Sequence, residues 1–306
     1  MTERLFLFLQ LEFPWELGPA DGRYLLRRPI DREPERVIIL ETLGAERRAG
    51  GRRTGRRRPQ VQPEPQPEPV ATARATVIDP VSVSAESQAR AWLDGLDATR
   101  EADAATATLN RVLFAQRIAT ADPYVHELSP AQALVVRAGW GEGEQVAYGR
   151  WLHARELRRG RQRVRRSAAL RPQERLAVLL AGRGDALLCE ELALRARRDL
   201  DEGRPLHAAL ELDRAYAAAL GELAHEDRPE LADRLAELAE LRPAVQQAAQ
   251  AALALPPQLG PAQASPLSAG PAPDDTSREP DEDTIAHALR RLEAALRART
   301  AAGLPD

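Results

Sequence analysis

Apolar and polar residues alternate along the first part of the chain. Positions 5, 7, 9, 11 and 13 are all Leu or Phe, and Gln10 and Glu12 lie between the last three of them. A period of two is typical of a β-strand with one buried face. We therefore predict a strand over Leu5–Phe13, ended by Pro14.

Three further short apolar runs indicate more strands. Tyr24–Leu26, Val37–Leu40 and Thr76–Ile78 are bounded by Gly, Pro and Asp residues that favour turns. Four strands would make a small antiparallel β unit over residues 1–83.

The segment 45–70, between the third and fourth of these strands, has a different composition. It opens with seven arginines among glycines and continues as Pro-Glu and Pro-Gln repeats. Such a segment cannot bury enough apolar surface to offset the entropy lost on ordering. We expect a disordered Arg/Pro-rich loop here.

From Ser84 onward the apolar spacing becomes helical and predicts a helical domain over residues 84–255, built from helix hairpins. Pro243 should interrupt its last helix, because proline removes a backbone donor. The predicted helices are a first one from Ser84 with Ala89, Trp92, Leu93 and Leu96 on one side, a second one that carries Leu109, Val112, Leu113 and Phe114, 129–139, a stretch from 144 that carries Ala147, Trp151 and Ala154, 188–200, 206–223 and 231–253.

The chain closes with a second low-complexity segment and an amphipathic helix. Residues 256–283 are rich in Pro, Ala, Ser and Gly and predict a disordered linker. Residues 284–301 carry one apolar stripe, formed by Ile285, Leu289, Leu292 and Leu296. The stripe can pack on the protein's own helices or dock into a groove on a partner, and the sequence leaves both alternatives open.

These patterns define the expected fold class as α+β and predominantly α-helical. A small N-terminal antiparallel β unit is followed by a helical bundle and a tethered C-terminal helix. Aromatic residues make up 4% of the chain, which fits closely packed helices better than an aromatic-rich sandwich.

Composition excludes several kinds of chemistry. All 43 basic residues are Arg, so any mechanism that needs a lysine amine is excluded. Cys189 is the one cysteine and can form no intramolecular disulfide. The five histidines lack metal-ligand spacing, and we expect no metal and no cofactor. Because the chain shows no need of an oxidising compartment, we expect a cytoplasmic protein. The apolar runs are too short to cross a membrane, so no membrane partner is expected.

Two Arg-rich segments are the candidate contacts for an anionic partner, because guanidinium groups bind phosphates and carboxylates in bidentate fashion. In a chain without Lys, however, every solvent-exposed basic residue is Arg. Clusters of Arg are therefore expected even where they bind no partner. The candidate residues are Arg52, Arg53, Arg56, Arg57, Arg58, Arg155, Arg158, Arg159, Arg161, Arg163, Arg165 and Arg166.

The halves of the chain also differ in charge. Residues 1–175 hold 29 Arg and 23 acidic residues, and residues 176–306 hold 14 Arg and 23 acidic residues. The acidic C-terminal part could therefore lie over the basic segments as an internal clamp.

The sequence favours a non-enzymatic interaction or adaptor protein that engages partners through its Arg-rich segments and its C-terminal helix. The alternative is a nucleic-acid-binding regulatory protein that contacts phosphates through Arg47–Arg58 and Arg155–Arg166. An enzyme whose site is assembled from distant residues is the third interpretation, because such sites need leave no short motif. Gly139, Gly141 and Gly143 are interpreted as a helix-to-helix turn. Oligomeric state and partner identity are left open.

Overall fold

The structure is a computed structural model that describes residues 4–27, 33–44, 70–157, 166–226, 229–254 and 281–302. All of the predicted Arg/Pro-rich loop except Val70, and all of the predicted linker except residues 281–283, lie outside these residues. The chain divides into two compact units, residues 1–161 and residues 162–306. Each unit is described by itself.

The first unit is built on one six-stranded antiparallel sheet. Its strand order is β2-β3-β4-β1-β5-β6, so that β1 lies in the interior of the sheet. The strand predicted at Leu5–Phe13 is confirmed as β1, with β4 and β5 on either side. The strands are β1 (Leu5–Phe13), β2 (Gly22–Arg27), β3 (Pro34–Leu43), β4 (Thr72–Ile78), β5 (Val135–Glu142) and β6 (His153–Glu156).

Two helices, α1 (Glu86–Asp94) and α2 (Ala98–Thr120), cover one face of this sheet. Asp97 starts α2 by accepting hydrogen bonds from the amides of Thr99 and Arg100 at 2.9 and 3.1 Å. The alternation in β1 decides which side chains enter this core. Leu5, Leu11 and Phe13 are buried there with side chains of both helices, including Leu93, Leu109 and Leu113.

The opposite face of the sheet is partly covered by a 3₁₀ segment, Gly143–Tyr148, that lies between β5 and β6. Val146 and Ala147 of this segment pack on Phe8 and Ile39. Gln10 is fully buried beneath it, and its side-chain amide donates to Thr76 Oγ1 and to the carbonyl of Ala147 at 3.0 and 3.2 Å. These hydrogen bonds satisfy the buried side-chain amide of Gln10 and hold the 3₁₀ segment against the sheet.

Two predicted helices are corrected by the structure. The helix predicted over 129–139 is a single 3₁₀ turn, Pro130–Gln132, followed by β5. The helix predicted from 144 is the 3₁₀ segment followed by β6. Ser129 does form the expected cap, but β5 then pairs with β1 over eight residues. Long-range pairing outweighs the local helical pattern.

The glycines predicted to form a helix-to-helix turn are also reassigned, because Gly139 and Gly141 lie within β5. A Cβ at Gly139 would lie 2.2 Å from the carbonyl oxygen of His153 on β6. A Cβ at Gly141 would lie 2.7 Å from Cγ1 of Val146. These glycines allow β6 and the covering segment to approach β5 closely. Gly143 begins the 3₁₀ segment with a φ of +64°.

The second unit is helical. Its elements are α3 (Arg166–Leu180), α4 (Leu188–Asp201), α5 (Pro205–Glu222), α6 (Pro229–Ala254) and α7 (Glu282–Ala302). The predicted hairpin is formed by α4 and α5, and α6 and α7 pack against it around one core that includes Leu212 and Tyr216. The interruption predicted at Pro243 is wrong, because α6 continues through this residue. The predicted fold class, α+β and mostly helical, is confirmed.

Candidate functional site

The predicted anion-contact residues fall in three places. Arg52, Arg53, Arg56, Arg57 and Arg58 lie in residues 45–69, outside the described part of the chain. The same holds for Arg158, Arg159, Arg161, Arg163 and Arg165, and α3 begins at Arg166, whose side chain is not described. Arg155 is the one predicted contact whose side chain the described residues include.

Arg155 is engaged within the first unit. It projects from β6, and its Nη2 donates to the carbonyl oxygen of Leu93 near the end of α1. Its Nη1 lies 3.8 Å from Oδ1 of Asp94. A cation beside the last carbonyls of a helix is favourable because those groups lack intrahelical donors. Arg155 therefore stabilises the position of α1 on the sheet.

Arginines on the face of the sheet opposite α1 and α2 are paired in a cross-strand network. Glu12 Oε1 accepts from Arg137 Nη1 at 2.7 Å and from Arg74 Nη2 at 3.1 Å. Arg74 also lies 3.3 Å from Glu41, so the network spans β3, β4, β1 and β5. Burial by itself would raise the pKa of Glu12, but hydrogen bonds and charges of Arg137 and Arg74 outweigh it and lower that pKa.

The helical unit shows the same use of arginine. Arg175 of α3 lies 2.6 Å from Glu190 of α4. Arg204 and Asp199 form a buried pair at 2.7 Å where α4 turns into α5. Arg197 makes two hydrogen bonds to Glu293 of α7, at 2.8 and 3.1 Å. Much of the cationic charge of the described residues is therefore matched by carboxylates inside each unit.

The sheet places the ends of both Arg-rich segments at one end of the first unit. Every neighbouring pair of strands is antiparallel, so β1, β3 and β6 run in one direction. β3 ends at Leu43, opposite the start of β4 at Thr72, and β6 ends at Glu156. Segment 45–58 follows Gly44 and segment 158–166 follows Leu157. We call this end of the sheet, at which β3 and β6 finish, the Leu43 end.

A cavity of about 310 Å³ opens at the Leu43 end. The loop between β1 and β2 forms one wall, through Leu17 and Pro19, and the ends of β3 and β4 form the other, through Leu40 and Ala73. Its polar lining includes three acidic residues, Glu16, Asp21 and Glu41. The cavity therefore combines apolar walls with acidic residues.

The apolar stripe of the C-terminal helix is buried in the second unit. Ile285, Leu289 and Leu292 are between 0 and 1% exposed, and Leu296 packs against the same core. The hydroxyl of Tyr216 on α5 donates to the carbonyl of Ala288 at 2.8 Å. This packing supports the alternative in which the stripe belongs to the protein's own bundle, and leaves it no free face for a partner.

Cys189 and His153 both occupy structural positions. Cys189 is fully buried at the start of α4, where burial and then the neighbouring Glu222 raise its thiol pKa to about 12. Both oxygens of Glu222 accept backbone amides of α4, from Leu188 and Cys189 at 3.0 Å. His153 stacks on Trp140 with ring centroids 4.7 Å apart. Within the described residues no group of three or more His, Cys, Asp or Glu is placed to hold a metal ion.

Comparison with protein-family models, with curated proteins and with solved structures finds no match to this chain. Of the helices in the described ranges, none has the length and apolarity needed to cross a membrane.

Proposed function

We propose that this protein is a non-enzymatic interaction protein that engages an anionic partner through the Arg-rich segments 45–58 and 158–166. The observation that carries the proposal is their common position, since both segments join the sheet at the Leu43 end. One partner surface can then engage both segments, and the second contact forms at high effective concentration.

Charge distribution supports the same proposal. The two segments together hold thirteen arginines and one acidic residue, whereas the whole chain has a net charge of −3. The remainder of the chain is therefore net acidic. Because many described arginines are paired inside the folded units, the two segments carry the charge excess that can attract a partner.

The distance between the two points of attachment determines how large a surface the partner must present. From β3 to β6 the sheet contains four steps between neighbouring strands. With strands roughly 4.8 Å apart, these steps amount to roughly 19 Å across the sheet. Glu156 is level with Ile39, four residues before Leu43, so the two points of attachment are also offset by roughly 13 Å along the strands and are separated by roughly 23 Å. An acidic protein surface spans this distance, which favours an adaptor that binds such a surface.

Nucleic acid is the second candidate partner, because the guanidinium groups of both segments suit phosphate. Guanidinium groups form planar bidentate contacts with phosphate that an ammonium group does not provide. A phosphate backbone is also continuous over the separation between the two segments.

The proposal is tested by fluorescence anisotropy at low salt with two labelled probes, an acidic polyglutamate peptide and a DNA duplex. Three proteins are compared: the wild type, a variant with the thirteen arginines replaced by Gln, and a variant with the same positions replaced by Lys. Binding of the wild type to either probe, lost in the Gln variant, supports an anion-binding function. Duplex binding weakened in the Lys variant favours phosphate contacts.

The result that contradicts the proposal is equal affinity of the wild type and the Gln variant for both probes. Circular dichroism of the Gln variant is the folding control, because the replaced positions lie outside the described cores.

A further inference from the structure

β2 (Gly22–Arg27) forms one edge of the six-stranded sheet, because the strand order gives it a single neighbour, β3. In an antiparallel ladder the backbone groups of successive residues point alternately to the two sides of a strand. One side of β2 is therefore bonded to β3, and the other side has no strand beside it in the described ranges. An unpaired edge of this kind can pair with a further strand.

The register of the sheet identifies the backbone groups on the outer side of β2. The amide of Asp79 donates to the carbonyl of Leu7, so the odd-numbered residues of β4 face β1 and its even-numbered residues face β3. The same alternation continues through β3 to β2. The amide and carbonyl of Tyr24 therefore face β3, whereas those of Arg23 and Leu25 point outward, away from the sheet.

Few features of β2 would keep this edge from pairing. β2 is six residues long and contains no proline, and its one irregularity lies at its end, between Leu26 and Arg27. Its centre, from Tyr24 to Leu26, is apolar and only partly buried. β6, at the opposite edge, has four residues and is shorter than β2. Short strands and prolines are the usual protection of a sheet edge, so β2 is the less protected edge.

A second copy of β2 matches this edge in one register. A two-fold axis pairs β2 antiparallel with itself, and two registers align the outward groups over five residues of each strand, one centred on Tyr24 and one on Leu25. The register centred on Leu25 places Arg23 opposite the partner's Arg27, and like charges directly opposite are destabilising. The register centred on Tyr24 places Arg23 opposite the partner's Leu25, and Asp21 opposite the partner's Arg27. Charge therefore favours the register centred on Tyr24.

We propose that two copies of the protein associate through their β2 strands, in the register centred on Tyr24. The outward amides and carbonyls of Arg23 and Leu25 form hydrogen bonds across the axis, and the two Tyr24 side chains lie opposite each other as an aromatic cross-strand pair. The two sheets become one sheet of twelve strands. Because paired β2 strands run in opposite directions, the two Leu43 ends lie on opposite sides of the dimer. This inference goes beyond the proposed function and does not depend on it.

Sedimentation equilibrium of the full chain, without any polyanion, measures the dissociation constant of the dimer. Leu25→Pro removes an outward amide and leaves the hydrogen bonds to β3 in place. The matched control is Ala154→Pro on β6. Its amide also points out of the sheet, because the amide of Leu157 donates to Val136 of β5 and the alternation places Ala154 on the other side.

We expect Leu25→Pro to raise the dissociation constant about tenfold to hundredfold, since one hydrogen bond is lost at each of two symmetric positions. The Ala154→Pro control should leave the constant unchanged. Circular dichroism checks that both variants fold. An unchanged constant in a folded Leu25→Pro protein, or an equal rise in the control, overturns the proposal.

Exchange of charges tests the register and does not require that Leu25→Pro folds. Asp21→Arg and Arg27→Asp each place like charges opposite each other, and the double variant restores opposite charges with their positions reversed. We expect each single variant to raise the dissociation constant about twofold to thirtyfold, and the double variant to return it to near the wild-type value. A double variant as weak as the single variants overturns the proposal, as does a wild type that stays monomeric up to about 100 μM. Since no polyanion is present, none of these results depends on the test of the proposed function.

Discussion

Arg137 on β5 donates to Glu12 on β1 across 2.7 Å, and the same carboxylate oxygen accepts from Arg74 on β4. Arg137 and Arg74 thus share a carboxylate from the strand that lies between theirs. This use of guanidinium groups divides the arginines of the chain into two classes. Those of the cross-strand network stabilise the fold, and those of the two Arg-rich segments are the ones we propose to bind a partner.

Loss of the Glu12 charge should destabilise the first unit. Glu12→Gln leaves Arg74 and Arg137 without their shared anionic acceptor, and we expect the free energy of unfolding at pH 7 to fall by about 1–3 kcal/mol. Urea denaturation measures this change. Glu86→Gln, which alters an exposed pair on α1 with Arg90, should change stability by less than about 0.5 kcal/mol.

The same variant should change the response to acid. Because the folded-state pKa of Glu12 lies below its ordinary value of 4.5, the pairing with Arg74 and Arg137 stabilises the fold above that pH. That contribution is lost as the pH falls through the folded-state pKa. The melting temperature of the wild type should therefore fall more steeply below pH 4.5 than that of Glu12→Gln, and parallel curves would contradict this pairing.

Arg155→Gln tests whether Arg155 contacts an anionic partner, as the sequence suggests, or stabilises the fold, as its contacts in the structure indicate. The sequence places Arg155 among the anion contacts, whereas its side chain binds the end of α1. We expect lower thermal stability and unchanged affinity for an anionic probe, measured by calorimetry and by anisotropy. A marked loss of affinity in a folded Arg155→Gln protein would restore Arg155 to the contact surface.

Close approach of β5 and β6 predicts that Gly139 tolerates no side chain. The Cβ of Gly139→Ala would lie 2.2 Å from a backbone oxygen, so β6 must shift, at a cost of about 1–3 kcal/mol or more. Gly221→Ala is the matched control, because its Cβ meets no atom within 4 Å and alanine has a higher helix propensity than glycine in the last turn of α5. Thermal denaturation should show opposite shifts for the two variants.

The assignment of the C-terminal stripe to the core also predicts a large effect. Leu289→Ala should lower the stability of the helical unit by about 2–5 kcal/mol, since Leu289 is fully buried. Leu194→Ala, at a position 67% exposed on α4, should change it little. Equal small effects on denaturation would return the stripe to the partner-binding interpretation. A deletion of residues 256–306 is not a clean test of the internal clamp, because it would also remove α7 from this core.

Sequence patterning was sufficient for elements whose period and burial agree. The alternation in Leu5–Phe13 predicts β1 and its buried face, and the spacing from Leu188 to Leu223 predicts the α4–α5 hairpin. The same reasoning failed at β5, where Ser129 gives a genuine cap but the following residues pair with β1. Whether these residues form a helix or a strand depends on their pairing with β1, which lies more than 120 residues away in the sequence.

The candidate site was predictable in part. The Arg-rich segments are evident from composition, and the common end at which they join the sheet depends on β6, which the local pattern predicts as helix. The pairing of Glu12 with Arg74 and Arg137 has one sequence signal, since the alternation places Gln10 and Glu12 on the face opposite the apolar residues. Partners on other strands follow only from the register.

The salt dependence of binding tests the central claim most directly. The logarithm of the affinity for a DNA duplex, plotted against the logarithm of salt concentration, has a slope of about −0.9 for each phosphate neutralised. We predict a steep negative slope for the wild type and a smaller slope when either Arg-rich segment is changed to Gln. When both segments are changed, the slope should approach zero. A slope that stays at the wild-type value in the doubly changed protein would contradict the account.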